Sequence, residues 1–162
     1  MSKDTMTDTT RVTIPVTGTD SVSGIWTRPT DGDGAEAVII SHGAANDMDN
    51  PLIVATADGL AAAGYPTLRF NFLYRERGKR SPDSERVLEA AWTGAVRWVA
   101  DQTGDPPDRF IAAGKSLGGR IAAQMAAEGK LSPSRMIFLG YPLHPPGKPE
   151  SSRDAPLYRL TM

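Results

Sequence analysis

Ser116 lies in a glycine-rich segment whose residue types fit two different chemistries. The segment AAGKSLGG, residues 112–119, contains a Gly-Lys-Ser sequence of the kind that ends a phosphate-binding loop. It also contains Gly-Lys-Ser-Leu-Gly, a match to the Gly-x-Ser-x-Gly pattern that presents a serine nucleophile. The first chemistry holds phosphate oxygens with backbone N–H groups, whereas the second attacks a carbonyl carbon with a hydroxyl.

The residues before Gly114 disfavour the phosphate-binding alternative. A loop of that type needs a glycine at position 109, which is Arg. Residues 110–113 are apolar, and they are typical of a buried strand that runs directly into the motif. A strand, a serine turn and then a helix form the context of a nucleophile elbow, so we expect Ser116 to be a catalytic nucleophile.

Gly114 and Gly118 have a mechanical reason to be glycine. In such an elbow the serine backbone is strained, and the residues two before and two after it lie close to neighbouring chain. Side chains at these two positions would clash there. A glycine-rich turn without chemistry is the alternative interpretation, and the strand and helix around the motif favour the elbow.

Acyl transfer also needs two backbone N–H groups that receive the negative charge developing on the substrate oxygen. One comes from the residue after the nucleophile, here Leu117, and the other from a loop after an earlier strand. The segment ISHGAAND, residues 40–47, offers Gly43 or Ala44 for this role, with Ala44 preferred as the donor. We interpret His42 as a structural residue that bonds to backbone, with a general-base role as the alternative.

These residues meet only if strands and helices deliver them to one edge of a sheet. Residues 11–16 and 21–29 predict an antiparallel pair of strands, and the uninterrupted apolar run at 37–41 predicts a buried strand. Strands and helices then alternate, which predicts a three-layer α/β/α sandwich with a mostly parallel sheet. The predicted helices cover 51–65, 81–102 (capped by Ser81) and 116–129, and the predicted strands cover 66–72, 109–114 and 135–140.

The composition fits a single globular domain over residues 11–162, after a disordered N-terminus at 1–10. Eighteen basic and nineteen acidic residues give a net charge of −1, which predicts neither a nucleic acid nor a membrane partner. With no cysteine and only two histidines, neither a metal site nor a cofactor is expected. The polar start and the absence of a long apolar run predict a cytoplasmic protein.

Positive charges near the motifs have two interpretations each. Lys115 either faces substrate or pairs with a nearby acid. A basic loop follows the predicted strand at 66–72, and it either attracts a substrate carboxylate or is simply solvated; we favour solvation. Arg75, Arg77, Lys79 and Arg80 of this loop and Arg69 of the strand before it put five positive charges within twelve residues.

Four segments carry a resemblance to a known family: SHGAANDMDNP, RFNFLYRERGKRSPD, GKSLGGR and GYPLHPPGKPE followed by RDAPL. In this order they resemble the α/β-hydrolase fold over about residues 11–160. More narrowly, they are similar to small hydrolases of the dienelactone hydrolase type, a clade that includes testis-expressed-protein-type hydrolases and bacterial relatives. The resemblance implies a hydrolase with Ser116 as nucleophile and the oxyanion donors named above, and it carries no information about the substrate. A small-molecule acyl substrate is the partner expected for this chemistry.

The acid and the histidine of a catalytic triad are where this chain departs from the family. They should follow the nucleophile in the order Ser, Asp/Glu, His, each after a later strand. After Ser116 the sequence predicts one strand, a proline-rich loop and then LYRLTM, residues 157–162, which resembles the approach to another strand. We therefore expect a C-terminally incomplete core. His144 and Asp154 are candidate site-lining residues, but their order is reversed.

Two functions remain open at this point. One is a serine hydrolase that acts on an ester or thioester, either active or, because Ser116 lacks a base, inactive in this form. The other is a non-catalytic binding or scaffold protein that keeps the fold. In either case the apolar strand at 135–140 is expected at the edge of the sheet, where self-association can occur.

Overall fold

Six strands form one sheet in the order β1-β2-β4-β3-β5-β6. The structure, a computed structural model, describes residues 6–31 and 34–161. β1 pairs antiparallel with β2, and β2 pairs antiparallel with β4, whereas β4, β3, β5 and β6 run parallel to one another. The strands are Thr7–Thr17, Asp20–Pro29, Ala37–Ser41, Thr67–Phe70, Phe110–Lys115 and Arg135–Leu139, numbered β1 to β6.

Helices lie on both faces of this sheet, which confirms the α/β prediction. The two central strands explain the three layers, because their successive side chains point to opposite faces. Val38 and Ile40 of β3 pack with Ile53 of the first long helix, whereas Ile39 lies in the larger cluster with Trp92 and Ile121 on the other face. The helices are Pro51–Ala62, Leu73–Glu76, Glu85–Thr103, Leu117–Ala127 and Ala155–Tyr158, numbered α1 to α5.

Ordered structure begins closer to the N-terminus than the sequence analysis predicted. Disorder was expected through residue 10, yet β1 starts at Thr7 and pairs in register with β2, with Thr7 opposite Pro29. Thr9 and Thr27 also join their hydroxyl groups across the pair at 3.1 Å. Threonine is β-branched and favours strands, which explains why the Thr-rich residues pair with β2 although disorder was predicted for them. Residues 1–5 of that prediction lie outside the described residues.

The start of α3 is a second correction. Ser81 was predicted to cap this helix, but Ser84 occupies the N-cap position, where its carbonyl accepts from the N–H groups of Val87 and Leu88. Residues 81–83 instead continue the loop that follows α2, a one-turn helix that the sequence analysis did not predict. This loop brings Asp83 to the cleft described below.

The C-terminal part differs from the expected approach to another strand. Residues 155–158 form the short helix α5, begun by Pro156 in its first turn. Among the described residues β6 pairs only with β5, so it is the edge strand that its position predicted. Its four apolar side chains are each partly exposed, unlike those of β3 and β5.

The chain order of the strands fixes where a site can form. From β3 the chain crosses to β4 on one side, and from β5 it crosses to β6 on the other. The loops after β3 and β5 therefore separate at a topological switch point, where open α/β sheets bind ligands. In the part of the chain that the structure describes, no helix is long and apolar enough to cross a membrane.

Candidate active site

Ser116 occupies a strained turn between β5 and α4. Its φ of 50° and ψ of −111° put it in a region that L-residues rarely adopt, and it is the sole described non-glycine residue with positive φ. Its N–H donates to the Gly140 carbonyl at 3.0 Å, which attaches the turn to the end of β6. Such strain costs about 1–3 kcal/mol and is retained chiefly at functional positions.

The elbow glycines are required by close backbone contacts. A Cβ built on Gly114 would lie 2.2 Å from the Gly119 nitrogen, and one on Gly118 would lie 2.2 Å from Ser41 Oγ and 2.7 Å from the His42 carbonyl oxygen. A methyl group does not fit at either position. The start of α4 therefore packs directly on the ends of β3 and β5, which is how the sequence presents Ser116.

Ser116→Gly should make the protein more stable, whereas Ser116→Ala should leave its stability within about 0.5 kcal/mol. Glycine relieves the strain at positive φ but adds freedom to the unfolded chain, so we expect a net gain of about 1 kcal/mol. Alanine keeps the strain. Urea unfolding of both variants measures the difference, and a Ser116→Gly protein less stable than Ser116→Ala would show that the turn is unstrained.

The loop after β3 lies beside this elbow. Asn46 N–H donates to the Gly43 carbonyl at 3.2 Å, so residues 43–46 form a tight turn. Gly43 does not need to be glycine for space, because its nearest backbone atom, the Lys115 oxygen, would lie 3.5 Å from a Cβ. Leu117 opens α4, and a first-turn N–H has no acceptor within its own helix. The N–H groups of Ala44 and Leu117 are thus the donor candidates of the site.

His42 is fully buried, and both of its ring nitrogens bond to backbone. Nε2 accepts from the Phe72 N–H at 3.0 Å, so the proton sits on Nδ1, which donates to the Gly43 carbonyl at 2.8 Å. Burial is the main reason that the pKa of His42 falls from 6.5 to about 4. Neither nitrogen bonds to Ser116, so this imidazole stabilises the loop.

Tyr74 joins the same loop from α2. Its buried hydroxyl donates to the Ala44 carbonyl at 2.8 Å and lies 3.4 Å from the Gly43 carbonyl oxygen. Burial raises the pKa of Tyr74 to about 12, so the phenol remains a hydrogen-bond donor. Sequence analysis did not identify this residue, although it falls within the segment RFNFLYRERGKRSPD that carries the family resemblance.

A cleft of about 420 Å³ opens in front of Ser116. Asp83 lines it, and its Oδ2 atom is buried without a hydrogen-bond partner. Arg120 also lines it and pairs with Glu85 at 3.2 Å; hydrogen bonds from Gln124 and Arg120 hold the pKa of Glu85 below its usual value. The remaining lining residues are Ala44, Pro82, Leu88, Leu117, Pro142, His144, Pro146 and Arg153.

His144 and Asp154 do not form a replacement for the triad partners. His144 lines the cleft, but it is exposed, and its Nδ1 lies 2.9 Å from the Pro145 carbonyl oxygen. Asp154 bonds to the hydroxyl of Ser152 and lies outside the cleft lining. Within residues 6–31 and 34–161, no hydrogen bond or ion pair joins these two residues to each other or to Ser116.

Three of the five basic residues in the window 69–80 form ion pairs. Arg69 pairs with Asp49 at 2.5 Å, and Arg75 lies 3.6 Å from Asp47. Arg77 pairs at 2.9 Å with Asp20, the first residue of β2. These pairs stabilise the loops around the site and leave less charge for a substrate. Lys115 makes no ion pair with a described residue, and its Nζ lies beside Gly43, 3.6 Å from where a Cβ would be.

The family comparison matches residues 34–162 to a family described as the alpha/beta hydrolase domain. Among solved structures, the fold is similar to dienelactone hydrolase from Anabaena variabilis, with a TM-score of 0.64, 23% identity, and coverage of 83% of this chain and 64% of that one. It is similar to an alpha-beta serine hydrolase homologue from Coxiella burnetii, with a TM-score of 0.63, 24% identity, and coverage of 81% and 61%.

A dienelactone hydrolase homologue from Klebsiella pneumoniae subsp. pneumoniae also matches, with a TM-score of 0.59, 21% identity, and coverage of 75% of this chain and 55% of that one. This chain thus spans less than two thirds of the length of these three structures. At these identities the likeness concerns the fold.

Proposed function

Because the chain belongs to the alpha/beta hydrolase domain family, we propose that it cleaves an ester or thioester bond in a small acyl substrate, with Ser116 as the nucleophile. The strained backbone of Ser116 is the observation that carries this proposal. A turn without chemistry gains nothing from a serine at positive φ, where glycine costs less. Here the strain places the hydroxyl at the switch-point end of the sheet, in front of a cleft.

The proposed reaction is a two-step acyl transfer. Ser116 Oγ loses its proton and forms a bond to the carbonyl carbon while the carbonyl electron pair moves to the oxygen. When that oxyanion collapses, the bond to the leaving group breaks, and the leaving oxygen or sulfur takes up the proton to depart as the alcohol or thiol. Water then attacks the acyl-serine, releases the acid and returns a proton to Ser116 Oγ. The N–H groups of Leu117 and Ala44 receive the oxyanion in both steps, and each such donor typically contributes about 3 kcal/mol to the barrier reduction.

Proton removal from Ser116 is the demanding step for these residues. No described histidine is bonded to its hydroxyl: both ring nitrogens of His42 bond to backbone, and the one hydrogen bond of the His144 ring among the described residues joins its Nδ1 to the Pro145 carbonyl oxygen. A serine without a base is a weak nucleophile. We therefore propose slow or absent turnover for the 162 residues alone. The same observation favours a second candidate, a non-catalytic protein that binds a ligand in the cleft.

A fluorophosphonate probe distinguishes the two candidates. We expect the probe to phosphonylate Ser116 slowly, as mapped by mass spectrometry of the labelled peptide, because the P–F group is a stronger electrophile than an ester and the N–H groups of Leu117 and Ala44 can hold its phosphoryl oxygen. Ser116→Ala is the matched control and should carry no adduct. An unlabelled wild-type protein that is folded by circular dichroism would refute the nucleophile and leave the binding protein as the remaining candidate.

A further inference from the structure

Two donors converge on one carbonyl of the loop that follows β3, and a third polar group lies beside it. The Gly43 oxygen accepts from His42 Nδ1 at 2.8 Å and from the Asn46 N–H at 3.2 Å. A carbonyl has two lone pairs, so these two donors saturate it. The Tyr74 hydroxyl of α2 lies 3.4 Å from the same oxygen, while its single proton goes to the Ala44 carbonyl. His42 and Tyr74 are fully buried side chains.

The orientation of that carbonyl decides the orientation of the Ala44 N–H. Gly43 C=O and Ala44 N–H belong to the same peptide group, and no described peptide bond is cis. In a trans peptide these two bonds point in opposite directions. Since Gly43 C=O points toward the buried side chains, Ala44 N–H points away from them, and Ala44 lines the cleft on that side.

Tyr74 also fixes the next peptide group. Its hydroxyl donates to the Ala44 carbonyl at 2.8 Å, the shorter of its two contacts, so one phenol oxygen contacts both carbonyls that flank the Ala44 nitrogen. The ring itself is held firmly: it stacks on Phe72 with an interplanar angle of 13° and lies edge-on to His42 at 5.9 Å. A buried ring between two others cannot change rotamer without moving them.

We propose that Tyr74 is a positioning residue of the oxyanion site: together with His42 and Asn46 it holds the Gly43 and Ala44 carbonyls toward the interior and so presents the Ala44 N–H to the reacting oxygen. This inference rests on the proposed function of Ser116 and Ala44. Tyr74 does not touch substrate, and it contributes by preorganising a donor before charge develops.

The kinetics of phosphonylation test this role. The probe's phosphoryl oxygen occupies the oxyanion position, so Tyr74→Phe should lower the maximal rate of labelling by about 10-fold or more, with the probe concentration at half-maximal rate unchanged. Phenylalanine keeps the ring contacts with His42 and Phe72 and removes only the hydroxyl. Ser134→Ala is the matched control, because it removes a hydroxyl bond to the Phe110 carbonyl at the opposite end of β5.

We expect Ser134→Ala to label at the wild-type rate. Wild-type labelling of Tyr74→Phe would overturn the proposal while leaving Ser116 as the nucleophile, whereas an unlabelled wild-type protein would overturn the proposed function itself. A crystal structure of Tyr74→Phe supplies the readout that does not depend on labelling. We expect the peptide between Gly43 and Ala44 to be rotated or present in two orientations, and a single unchanged orientation would also overturn the role of Tyr74.

Discussion

Gly118→Ala should remove about 4 kcal/mol or more of the free energy of unfolding, and with it most of the folded population at moderate temperature. The added Cβ would lie 2.2 Å from Ser41 Oγ and 2.7 Å from the His42 carbonyl oxygen. The side chain of Ser41 is fully buried, and the second clash is with backbone, so neither contact is relieved by a side-chain rotation alone. The cost therefore exceeds the 1–3 kcal/mol that is typical of overpacking.

Urea unfolding followed by circular dichroism measures this loss, and Gly59→Ala is its matched control. Gly59 is an exposed position within α1, and a Cβ there meets no atom within 4 Å. Alanine should stabilise that helix by about 0.5–1 kcal/mol. The same substitution thus has opposite signs at the two glycines. Equal midpoints for wild type and Gly118→Ala would mean that α4 is not packed against the end of β3.

The stability of the protein should fall by about 3 kcal/mol between pH 6.5 and pH 4 because of His42 alone. Its pKa is about 4 in the folded state, against an ordinary value of 6.5, since burial disfavours the charged ring. The unfolded chain therefore binds the proton first, and the contribution is complete above pH 6.5 and lost as the pH falls toward 4. Asp47 raises this pKa and Arg75 lowers it, so the two charges oppose each other.

Thermal melting across this pH range, compared between variants, isolates the contribution. His42→Gln should be less stable than wild type at pH 7, yet its stability should change less between pH 6.5 and 4. Identical pH profiles for wild type and His42→Gln would contradict the buried, neutral imidazole.

The elements that carry the site were predictable because local sequence determines them. The apolar run at 37–41 became β3 with the predicted boundaries, and residues 110–113 became part of β5, since runs without polar interruption need burial on both faces. The glycine spacing around Ser116 predicted the elbow for a steric reason that the close contacts of Gly114 and Gly118 now quantify. In such cases a few neighbouring residues contain the whole physical argument.

Features set by distant residues were not predictable in this way. Ser81 and Ser84 are of the same residue type, and α3 begins after Ser84, whose side chain makes no capping hydrogen bond, so the capping preference alone did not locate the start of the helix. Tyr74 contacts Gly43 and Ala44, which lie about 30 positions away in the sequence, so no local sequence pattern predicts these hydrogen bonds. Asp83 lines the cleft because of how the loop before α3 folds, which no local pattern in the sequence predicts. The role of each depends on tertiary structure that composition and periodicity do not encode.

The bond from Ser116 N–H to the Gly140 carbonyl connects the elbow to the outer margin of the sheet. Gly140 directly follows β6, whose outer backbone groups face no described strand. If a chain segment that added itself to this margin moved Gly140, the shift would reach the Ser116 backbone through this one hydrogen bond. Whatever bound the margin better in one elbow geometry would then favour that geometry, so assembly along the sheet and the shape of the elbow would be thermodynamically linked.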